Sequence, residues 1–147
     1  MTLKIKSRNA QYPLVAEFTF NFNDTMVNTA GNTVDFGLTN LGGAAGSFDV
    51  IPLPPGATII SGEVVRSTAF DTASYAVVVG DSVTANRYLA STDLKGLGRT
   101  ALVPTGYVSL GNDLRIGITN ADVCTTGVCT VRIEYVIAGR ANESQIS

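Results

Sequence analysis

Thr130-Val-Arg-Ile-Glu-Tyr-Val-Ile137 decides how this chain is read. Val131, Ile133, Tyr135 and Ile137 alternate with Thr130, Arg132, Glu134 and Val136. A strand points successive side chains to opposite faces, so this spacing predicts a strand with one apolar face. The same period of two returns earlier in the chain. Leu114, Ile116 and Ile118 alternate with Asp113, Arg115 and Gly117. Phe18, Phe20 and Phe22 alternate with Glu17, Thr19 and Asn21, and Val34, Phe36 and Leu38 with Thr33, Asp35 and Gly37. Apolar faces of this kind are buried one sheet against another, which predicts a sandwich or a barrel.

Strands are expected at about 14–22, 33–40, 47–51, 57–67, 74–80, 86–90, 100–109, 113–119 and 129–138. Gly31-Asn32 and Gly111-Asn112 suit tight hairpins, because glycine supplies the positive φ such turns need. Gly42-Gly-Ala-Ala-Gly46 reads as a flexible loop, and Ser91 to Gly98 as the one segment fit for a helical turn. Pro52-Leu-Pro-Pro-Gly56 lacks the N–H donors of a central strand, so Pro52, Pro54 and Pro55 make a rigid crossing or an exposed contact loop. Nine short strands with mixed loop lengths fit a jelly roll better than an up-and-down barrel. The expected fold is therefore an all-β, jelly-roll-like antiparallel β-sandwich. It divides into a basic N-terminal arm at 1–12, one sandwich domain at 13–139 and a polar tail at 140–147.

The 147 residues are enough for a two-sheet core. Charged residues are 15%, against about 25% in a typical soluble domain. A surface this poor in charge fits a chain partly covered by partners, and the edges of its sheets point to a homo-oligomer, a dimer first. Net charge is −2, so no positive field recruits nucleic acid. No apolar run approaches the ~20 residues that span a membrane, and no apolar stretch follows the basic N-terminus as in a secretion signal. The expectation is folding in a cytosol. Three of the ten basic residues, Lys4, Lys6 and Arg8, precede the first acidic one, Glu17. Leu3 and Ile5 alternate with Lys4 and Lys6, which suits a strand added to a partner's sheet edge.

The chain has no histidine. Ser-His-Asp and Cys-His nucleophile systems are thereby excluded, as are most zinc sites. No cofactor motif is present, and the expectation is no enzyme, no metal and no cofactor. Phe70-Asp71-Thr72-Ala73 echoes the Asp-Thr/Ser-Gly loop of aspartic proteases, but Asp and Thr are also ordinary turn formers. Tyr75, Tyr88 and Tyr107 are the aromatic candidates for a carbohydrate surface. Cys124 and Cys129 enclose Thr-Thr-Gly-Val. A disulfide there would contribute about 2 kcal/mol, and two free thiols are the alternative. Either way, Ser at both positions is expected to leave the fold intact.

Three segments carry a resemblance: Leu53-Pro-Pro-Gly-Ala-Thr-Ile-Ile-Ser-Gly62, Arg99-Thr-Ala-Leu-Val-Pro-Thr-Gly-Tyr107 and Arg132-Ile-Glu-Tyr-Val-Ile-Ala-Gly-Arg-Ala-Asn-Glu143. Together they resemble the capsid cement, or decoration, proteins of Bordetella-type short-tailed phages. The resemblance implies a jelly-roll subunit on the outside of a tailed-phage capsid, folded in the bacterial cytoplasm. Such a subunit clamps neighbouring copies of the major capsid protein and carries no catalytic residue. A carbohydrate- or receptor-binding module of a tail fibre or spike is the alternative.

Overall fold

The computed structural model describes residues 7–38, 40–140 and 143–146, and at 7–9 and 143–146 the backbone alone. Among them the chain forms β1 (Ser7–Ala10), β2 (Leu14–Asn21), β3 (Thr25–Val27), β4 (Thr33–Asp35), β5 (Ser47–Ile51) and β6 (Ala57–Thr68). There follow β7 (Tyr75–Gly80), β8 (Leu89–Asp93), β9 (Gly98–Ala101), β10 (Leu114–Asn120), β11 (Val128–Ile137) and β12 (Glu143–Ile146). Two four-stranded antiparallel sheets carry the body, in the orders β2-β11-β6-β9 and β5-β10-β7-β8.

That order is a long hairpin rolled up. Of the eight sandwich strands, the first pairs with the last (β2 with β11), the second with the seventh (β5 with β10), the third with the sixth (β6 with β9) and the fourth with the fifth (β7 with β8). Rolling then sets β6 against β11 and β7 against β10, which closes each sheet. The result is the two-sheet jelly roll that the alternating strands predicted.

The faces that meet are those named by the alternation. Phe20, Val64, Val131 and Ile133 come from one sheet, and Phe48, Val77, Ile116 and Ile118 from the other, all fully buried. Phe36 bridges them, with its ring 4.6 Å from those of both Phe20 and Phe48. Phe70 stacks on Tyr75 at 4.1 Å.

Several local expectations are revised. The segment 91–98 holds no helical turn: β8 runs through Asp93 by pairing with β7, and Leu94 then plugs the core. The short 3-10 turn lies instead at Gly43–Gly46, where a flexible loop was expected. Gly31 does turn a hairpin, β3 to β4, at φ 87°. Gly111-Asn112 does not, because the strand expected across 100–109 stops at Ala101. Past it only Val108 makes a bridge, to Thr58.

The arm and the tail meet. β1 pairs with β12 in register, Ser7 opposite Ile146 and Ala10 opposite Glu143. This ribbon continues the β2–β11 pair toward the chain ends. Gln11 bridges the two pairs: its side-chain amide donates to the carbonyl of Ile137 at 2.8 Å and accepts from the N–H of Ile137 at 2.9 Å. A side chain thus stands in for one rung of the ladder.

Candidate interaction surfaces

The loops gather at the two ends of the sandwich. One end holds 22–46, 69–74, 94–97 and 121–127. Asp71 ties it together, accepting from the N–H of Thr125 at 2.7 Å, from that of Thr126 at 3.1 Å and from the Thr125 hydroxyl. These bonds, the Thr125 hydroxyl first, hold its carboxyl below the ordinary aspartate range. The neighbouring Thr72 is buried and donates to the Ser74 carbonyl at 2.6 Å. Asp71-Thr72 is therefore a loop clamp whose acceptor oxygens are already taken. Among the described residues no group of three or more Cys, Asp or Glu is placed to hold a metal ion.

The tyrosines do not form a sugar-binding platform. Tyr75 is buried on Phe70, and its hydroxyl donates to the Phe36 carbonyl at 2.8 Å. Tyr88 is buried as well. Tyr107 is half-buried beneath the Arg87 guanidinium, which lies 3.5 Å from its ring centre. Two of the three candidates thus fill the core and present no ring to a ligand.

Cys124 and Cys129 are free thiols and both are buried, so the disulfide considered from the sequence is not formed. The alternation on β11 turns Cys129 inward with Val131, where it has no exposed surface. Burial pushes the Cys129 thiol up to about 12 and that of Cys124 up to about 11. Both are structural fillers rather than nucleophiles.

Arginines here serve the chain itself. On the outer face of the β2-β11-β6-β9 sheet, Arg132 reaches Glu17 at 2.9 Å and Glu63 at 3.1 Å, and Arg99 reaches Glu63 at 2.8 Å. One ladder of alternating charge so crosses all four strands. The Arg99 hydrogen bond is the main reason that the Glu63 carboxyl lies below its ordinary range. On the other sheet Arg115 pairs with Asp49 at 2.7 Å.

The opposite end carries the proline loop. Pro52 and Pro55 are exposed and Pro54 is half-buried, while Leu53 between them plugs the core and holds the loop down. Gly56 donates to the Ser109 carbonyl at 2.7 Å and accepts from Ala138 at 2.9 Å. These bonds draw the proline loop, the 108–111 loop and the chain ends together. Leu110 is 80% exposed there, Tyr12 82%, and Val108 is exposed beside them. Of the expected arm contacts, Leu3, Lys4, Ile5 and Lys6 lie outside the described residues, and Arg8 is placed only by its backbone, opposite Gln145.

No protein-family model matches this sequence, and no curated protein matches it. Solved structures do match in shape. A chain of the acid-stable capsid of Helicobacter pylori bacteriophage KHP30 superposes with a TM-score of 0.62 at 15% identity, covering 98% of this chain and 98% of that one. A chain of the cyanophage Pam1 capsid asymmetric unit gives 0.58 at 16% identity, covering 93% and 89%. A chain of the Ralstonia phage GP4 capsid gives 0.50 at 13% identity, covering 90% and 93%. At such identities the likeness is one of fold, and it runs the length of both chains.

Proposed function

We propose that this chain is a structural protein of a phage virion, binding the outer surface of the capsid and clamping neighbouring major capsid subunits. The observation that carries the reading is the end-to-end likeness of this jelly roll to chains built into three phage capsids. The surface agrees with it. The ion pairs satisfy one another, and exposed apolar residues stand at both ends of the sandwich, with Tyr12, Val108 and Leu110 beside the proline loop at one of them. A clamp needs only such a patch, presented more than once. Buried apolar area contributes about 25 cal/mol per Å² before the cost of association is subtracted. Bridging two shell subunits then makes the second contact intramolecular and multiplies the affinity. The partners in this reading are the major capsid protein and a second copy of the chain, the place is the capsid exterior, and folding takes place in the bacterial cytoplasm.

The test is binding to purified capsids that lack this protein, followed by cryo-EM of the decorated particle. Hundreds of ordered copies outside the shell are expected, and the double substitution Pro55→Asp/Leu110→Asp should weaken binding by about tenfold or more. Copies numbering only tens, confined to the tail, would give the role to a receptor-binding module instead.

A further inference from the structure

Strand β2 lies at the edge of its sheet, with β11 on one side only. Its pairing shows which backbone groups are left over. Phe22 donates to Gly127 at 3.0 Å, in line with the register Asn21–Val128 to Leu14–Tyr135. In an antiparallel pair such bonds fall on alternate residues. The even-numbered residues of β2 therefore face β11, and Val15, Glu17, Thr19 and Asn21 point their N–H and C=O outward. Asn21 is satisfied by Asp24, whose N–H and carboxylate close a turn at 3.1 and 2.8 Å. Val15, Glu17 and Thr19 have no backbone partner on that side among the described residues. Three open rungs remain.

Beside them the sandwich is incompletely shut. Leu14, Ala16 and Phe18 face the core yet are only half-buried. A solvent-open cleft of about 520 Å³ runs between the strand edge and the β3–β4 hairpin, lined by Phe18, Phe20, Met26 and Phe36 among others. Asp24 is its one charged lining residue among the described residues. An unpaired edge along a cleft that mixes phenylalanine rings with polar side chains is a site for strand addition.

We propose that the occupant is Thr2–Lys6 of a second copy of this chain, added as a strand to the β2 edge. The segment has the required pattern. Leu3 and Ile5 would fall on the cleft side, and Lys4 and Lys6 on the outer side, where Glu17 stands exposed. Ala10 is the body end of the β1–β12 ribbon and Ser7, the first described residue, is the far end, away from its own β2. A four-rung, two-stranded ribbon is marginal in water by itself, and anchoring its tip on a neighbour would steady it. Two copies exchanging arms satisfy two-fold symmetry, each edge being filled once. This inference stands apart from the capsid reading.

The test compares three proteins by sedimentation: the full chain, the chain lacking residues 2–6, and Thr19→Pro. Proline at 19 deletes an outward N–H and the Thr19–Thr130 hydroxyl contact, and leaves the backbone bonds to β11 in place. Amide exchange at Val15, Glu17 and Thr19 is followed in parallel. The full chain should be a dimer with these three amides protected. Both variants should keep the melting profile of the fold, weaken self-association by about tenfold or more and lose protection at Val15 and Glu17, as should Thr19 in the chain lacking residues 2–6. A dimer that survives both changes overturns the proposal. Protection that persists on dilution to monomer also overturns it, since the chain's own arm would then fill the edge. Capsid binding is scored separately: a monomer that still decorates capsids sinks arm exchange alone, and an arm-exchanged dimer that ignores capsids sinks the capsid reading alone.

Discussion

Gly127 shows how closely single residues are held. Its φ is 148°, and a Cβ placed there would lie 2.3 Å from a ring carbon of Phe70. Phe70 is itself locked against Tyr75 and Phe20. Gly127→Ala should therefore lower stability by about 3 kcal/mol or more, combining overpacking with an unfavourable backbone. Gly31 has φ 87° and no atom within 4 Å of an added Cβ, so Gly31→Ala should cost only about 1–2 kcal/mol. Chemical denaturation of the two variants checks the contrast, and equal losses would mean that the Phe70 ring yields. The cysteines divide in the same way. The expectation that Ser is harmless at both positions does not fit Cys129, where a hydroxyl would enter an apolar core without a partner. Cys129→Ser should cost about 1–3 kcal/mol and Cys129→Ala less than Ser, again by denaturant titration. None of this is legible in Thr-Thr-Gly-Val, because the depth of a residue is a property of what packs over it.

At the scale of elements, the loop between β7 and β8 is held by one charge. Asp81 is buried and accepts from Arg87 at 2.6 Å and from the N–H groups of Val83 and Thr84 at 2.9 and 2.8 Å. Burial pushes its carboxyl upward, but the Arg87 hydrogen bond and the two backbone N–H groups outweigh burial and hold it below the ordinary 3.8. A carboxyl that titrates lower in the folded state stabilises fully above its unfolded value, and that stability is lost as pH falls through the folded one. As pH falls from about 5 through the folded value, which lies below 3.8, the wild type should lose this contribution. Asp81→Asn should be less stable at neutral pH and should lose less across that window. Melting temperatures across the pH series give the comparison, and parallel curves would show that Asp81 does not drive the acid loss. The loop ends of the strands were placed well by alternation where both faces of a strand met defined neighbours, as in β5, β6, β10 and β11. Alternation misplaced β8 and β9, because Leu94 and Leu102 are pulled into the core just beyond the ends of their ladders.

For the whole molecule, period-two alternation by itself determined that this is an all-β chain with two faces to bury. The side-chain period of a strand is a covalent fact and needs no partner to be read. The absence of histidine likewise disposed of several catalytic systems from the sequence alone. Other features were decided only by the tertiary structure. The pairing of β2 with β11 joins residues more than a hundred positions apart, such as Thr19 and Thr130, and no local pattern encodes which distant edges meet. The same long-range pairing turned the arginines into an intramolecular ladder, took Tyr75 and Tyr88 out of the solvent, joined the arm to the tail and left three rungs of β2 open among the described residues. Chemistry can be read along the chain because it belongs to residue types. Surfaces cannot, because they are what remains after the rolled hairpin has buried everything else.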